Sequence, residues 1–93
     1  MKELNLEKLR KQIDILDEEL IKILAKRFEF TEKIGIYKKI HNFPSLDQRR
    51  ENSMFKQREQ LARKLNIDQQ LIKKLFILII NKVKENHKKI KNE

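Results

Sequence analysis

Leu6, Leu9, Ile13, Leu16, Leu20, Ile23, Arg27, Phe30, Ile34 and Tyr37 advance by alternating steps of three and four without a slip. That spacing is the seam of one long amphipathic helix, and it predicts a first helix over about 5–41. At 1.5 Å per residue such a helix is roughly 55 Å long, whereas a compact chain of this size has a radius of gyration of about 12 Å. Its own chain cannot cover it. The economical expectation is a homodimer, with two long helices antiparallel about a twofold axis and shorter helices completing an intertwined bundle. A monomer with a bent or broken first helix is the alternative.

Arg27 is the one charge on that seam, and the residues three and four away are Ile23, Leu24, Phe30 and Thr31, none of them acidic. A guanidinium on a buried face is costly unless something anionic meets it. The expectation is therefore a carboxylate from elsewhere in the fold or an anionic ligand. Lys38 lies about 16 Å further along the same face, and its neighbours Ile34, Gly35, His41 and Asn42 also lack an acid. Gly35, the single glycine, costs a helix about 1 kcal/mol against alanine, which a close approach of ligand or neighbouring backbone would explain. Arg10 lies about 42 Å from Lys38 along the helix and can share a small ligand with it only across an antiparallel dimer. Its structural alternative is pairing with Glu7 and Asp14.

The remainder reads as two more helices, so the whole is an all-α single domain over 1–93. Asn5 is placed to cap the first helix, and Phe43-Pro44 to end it. Ser45 with Gln48 resembles a capping box, with Asp47 at the positive end of the dipole. Met54, Phe55, Leu61 and Leu65 then carry a second helix over about 46–65. Asp68 caps a third over about 68–90, in which Ile72, Phe76, Ile79, Ile80, Val83 and Ile90 keep the period. Leu75 to Ile80 is apolar nearly all round and is expected to be the most buried stretch. One Gly, one Pro and 6% aromatic residues leave little turn chemistry for sheets.

With no cysteine there is no disulfide or thiolate metal site, and His41 and His87 have no metal or triad spacing; neither metal nor cofactor is expected. The N-terminus Met1-Lys2-Glu3 is charged and no apolar run is long enough to cross a membrane, so a cytoplasmic location is expected. The net charge of +9 invites a nucleic-acid reading, which predicts steep salt dependence. It ranks last, because Lys82, Lys84, Lys88, Lys89 and Lys91 are interleaved with Glu85 and Glu93, almost without aromatics, and read first as a solvated helix end. Asp47, Arg50 and Glu51 add a third cation and a carboxylate able to accept from a hydroxyl, although Asp47 to Arg50 is also an ordinary helical pair. Together the cations point to a small dianion, and to chemistry that holds an anionic substrate in one reactive shape and stabilises developing charge.

The runs Leu9-Arg10-Lys11-Gln12-Ile13-Asp14, Leu24-Ala25-Lys26-Arg27, Ile34-Gly35-Ile36-Tyr37-Lys38, Asp47-Gln48-Arg49-Arg50-Glu51 and Leu75 to Ile80 resemble, in order and spacing, the all-helical class of chorismate mutases, over about Leu6 to Lys88. The resemblance implies an intertwined dimer of three-helix chains that converts chorismate to prephenate without a cofactor, here as a stand-alone, monofunctional domain. It implies that Arg27 and Arg50 of one chain and Arg10 of the other bind the two carboxylates. Lys38 would donate to the ether oxygen, and Glu51, helped by the Asp47 region, would hold the ring hydroxyl.

Two positions depart from the family pattern. Val83 stands where a hydroxyl residue is usual, and His87 where Gln or Glu normally faces the ether oxygen. A neutral imidazole donates from one nitrogen and an imidazolium from either, so His87 can keep that role with a pH dependence near neutrality, or can simply pack beside Ile90. Isochorismate pyruvate-lyase activity and a weakly active or regulatory chorismate-binding subunit are the alternatives. Docking to another pathway enzyme stays open.

Overall fold

The computed structural model describes residues 5–44 and 47–92, the last two by backbone alone. Three helices follow one another, α1 (Leu6–Ile40), α2 (Gln48–Lys64) and α3 (Gln69–Asn92), with no strand among the described residues. The all-α expectation holds, and the helix bounds differ from those read in the sequence by one or two residues.

Local side-chain chemistry sets each start. The Asn5 Oδ1 accepts from the backbone N–H of Glu7 at 2.9 Å and of Lys8 at 3.3 Å. Asp68 Oδ1 accepts from Gln70 N at 2.9 Å in the same way. The start of α2 corrects the expected capping box: its cap is Asp47, whose Oδ1 accepts from Arg50 N at 3.0 Å. Gln48 instead gives its side-chain amide to Asn52 at 3.0 Å, one turn on. Ser45 and Leu46, in the expected box and helix start, lie outside the described residues.

Asparagines set the two described turns. Asn42 has φ 56° and Asn66 φ 58°, the left-handed conformation that ends helices and that Asn tolerates better than most residues. Behind Asn42, Phe43 N donates to Lys38 O at 2.9 Å and Asn42 N to Lys39 O at 3.4 Å. Behind Asn66, Ile67 N donates to Ala62 O at 2.8 Å and Asn66 N to Arg63 O at 3.2 Å. Both are Schellman turns. Helix α1 thus ends on its own asparagine before Phe43-Pro44 is reached.

The chain divides into two compact units between Thr31 and Glu32. The first holds most of α1. In it the seam residues Leu6, Leu9, Ile13, Leu16, Leu20 and Ile23 are 42–66% exposed, while Leu24, Arg27, Phe28 and Thr31 are half-buried.

The second unit contains the end of α1 and the α2–α3 hairpin, where Met54, Ala62 and Ile79 form the buried apolar core. That core corrects the expectation for Leu75 to Ile80, of which only Ile79 is buried. Leu75, Ile77 and Leu78 are exposed. A helix that is apolar all round still buries only part of its circumference against one neighbouring helix. On α2, Leu61 and Leu65 are likewise exposed at 54% and 59%, because the buried stripe runs through Met54 and Ala62.

Candidate active site

The second unit places six of the eight candidate residues. Lys38 is half-buried and lines a cleft of about 470 Å³ with Lys39, Asn42, Phe43 and Pro44. The turn is packed by aromatic rings, with Tyr37 and His41 centroids 4.1 Å apart and Phe43 at 5.7 Å from Tyr37. Lys39 Nζ donates to the Ile90 carbonyl at 2.7 Å, tying the end of α1 to the last turn of α3. A cation is favoured there by the negative end of the α3 dipole.

His87 comes to α1 at Gly35. A Cβ on residue 35 would lie 2.7 Å from His87 Cδ2, 2.9 Å from its Nε2 and 3.0 Å from Ile90 Cδ1. The expected close approach is therefore present, and it is made by side chains rather than by backbone. His87 packs beside Ile90 and, one helical turn before Lys38, against the same stretch of α1. Val83 is half-buried on α3, one turn before His87.

At the start of α2, Asp47 spends one carboxylate oxygen on capping. That bond fixes the turn from which Arg50, exposed, and Glu51, half-buried, project. Glu51 Oε1 is 3.0 Å from the Nζ of Lys84 on α3. Lys84 is thus tied to α2 at the base of the helix end expected to be solvated, whereas its neighbour Lys82 pairs at 3.7 Å with Glu85 at the surface.

In the first unit Arg10 is exposed, and no ion pair to Glu7 or Asp14 forms among the described residues. Arg27 is half-buried, and its Nη1 is withdrawn from solvent. A partly buried guanidinium is suited to a carboxylate, which it can meet through two parallel N–H donors.

Reading by pattern missed a second seam-side arginine. Arg58 lies four residues after Met54 and four before Ala62, half-buried, with its guanidinium 5.7 Å from the centre of the Phe76 ring. Burial lowers its pKa from the usual arginine value, and the charge of Arg50 adds to the effect. With Leu61, Leu65, Ile67 and Ile72 it borders an apolar groove of about 480 Å³. Its spacing was the available signal.

The chain belongs to the chorismate mutase type II family, whose model matches residues 9–88. It is also similar to a T-protein of Haemophilus influenzae, with 40% identity over 67 residues, which is 72% of this chain and 18% of that protein. The chain thus spans less than a fifth of that relative's length. No helix among the described residues is long and apolar enough to cross a membrane.

Proposed function

We propose that the protein is a chorismate mutase that rearranges chorismate to prephenate in aromatic amino-acid biosynthesis. The family match carries the reading, because its span takes in every candidate residue from Arg10 to His87. The C–O bond breaks as the C–C bond forms within one molecule, so no nucleophile is needed. Rate comes from holding the two ends of the substrate together and from meeting charge as it appears on the ether oxygen.

In this reading two copies assemble through the exposed α1 seam, and each site is composite. Arg27 and Arg50 of one copy and Arg10 of the other take the carboxylates. Lys38 donates to the ether oxygen, with His87 as a second donor beside it. Glu51 accepts from the ring hydroxyl, and Asp47 holds the turn that carries Glu51. Val83 supplies an apolar wall where a hydroxyl would have added a contact. The action of Arg10 in trans fits its exposure and its position far from Lys38 along α1.

The test is disappearance of chorismate and appearance of prephenate with purified protein. Release of pyruvate from isochorismate would instead mark a lyase on the same scaffold. Arg27→Ala and Lys38→Ala should each lower kcat/KM by about 10³-fold while the protein stays folded. Undiminished turnover in either variant contradicts the site.

A further inference from the structure

Glu51 and Lys84 meet across the α2–α3 hairpin, Oε1 to Nζ 3.0 Å. Both border a small pocket of about 240 Å³ with Gln48, Phe55, Ile77, Ile80 and Asn81. The Glu51 side chain is only 17% exposed and that of Lys84 49%. By contrast, Glu18 and Lys22 pair within one helix with both side chains largely in solvent. Ile77, Ile80 and Lys84 follow at steps of three and four, so Lys84 stands on the side of α3 that faces α2.

We propose that Lys84 is a positioning residue that fixes the Glu51 carboxylate for a substrate hydroxyl. The inference rests on the mutase reading, in which Glu51 accepts from the ring hydroxyl. An ionised carboxylate has two oxygens and about four acceptor sites, and the ammonium contacts Oε1, so accepting capacity is left for the substrate. Pinning one oxygen orders the side chain before substrate arrives and removes that ordering cost from binding. The hydroxyl is a spectator in the rearrangement, so its hydrogen bond contributes equally to ground and transition states. Its loss therefore appears in KM rather than in kcat.

Steady-state kinetics on the full chain test this with the wild type, Lys84→Met, Lys84→Arg, Glu51→Gln and the Glu51→Gln/Lys84→Met double variant. Lys84→Met should raise KM for chorismate roughly 5–10-fold with kcat within about twofold, and Lys84→Arg should recover most of the loss. In the Glu51→Gln background, Lys84→Met should add nothing. Lys84→Gln replaces Lys84→Met should the latter fail to fold by circular dichroism. An unchanged KM, or the same rise in the Glu51→Gln background, overturns the role of Lys84 while leaving the mutase reading intact. A wild type without turnover overturns both.

Discussion

Helix α1 in the first unit and the α2–α3 hairpin in the second are written in the same three-and-four code, yet they end differently. Along α1 the seam leucines and isoleucines are about half exposed. In the hairpin the same spacing yields a core at Met54, Ala62 and Ile79. An amphipathic period states which side of a helix must be covered and is silent on what covers it. In α2 and α3 the cover is a neighbouring segment of the same chain. For α1 an apolar stripe of this length marks an interaction surface, and a second copy is the occupant that the proposed composite site requires.

The contrast can be broken or sharpened by substitution. The largest effect is expected on the seam. Leu16→Glu with Leu20→Glu should leave a monomer by light scattering and no measurable turnover, since each site would lose the Arg10 that its partner supplies. In the hairpin, Met54→Ala should lower unfolding free energy by about 2–4 kcal/mol in denaturant titration while the assembly state at high protein concentration is kept. Gly35→Ala has opposing terms, about 1 kcal/mol gained in helix propensity against overlap with the His87 ring and the Ile90 methyl. Because those atoms are the ends of packed side chains, a net loss of about 1 kcal/mol is expected. It should turn into a gain when His87→Ala is added. Smallest is Asn66→Gly, which should raise stability by a few tenths of a kcal/mol by relieving the left-handed turn.

What could be read from sequence divides along the range of the interaction. Asn5 and Asp68 were legible because a cap acts on N–H groups two or three residues away. The turns at Asn42 and Asn66 are equally local, but Pro44 drew attention from Asn42 as the end of α1. Leu75 to Ile80 misled because all-round apolarity does not say which face meets α2. Gly35 announced a close neighbour without identifying it, since His87 arrives from another helix. The Glu51–Lys84 contact had no signature at all, because both partners look ordinary within their own helices. Arg27 stood out only because its seam was otherwise apolar, and Arg58 escaped notice in a helix with charges on every side.

Mixing Arg10→Ala with Arg27→Ala tests the central claim most directly. Each variant alone should be nearly inactive. After the two are unfolded, combined in equal amounts and refolded together, half of the dimers are mixed and each mixed dimer carries one intact site. Activity should therefore return to about a quarter of the wild-type value. A mixture no more active than its separate components would contradict a site built from two chains.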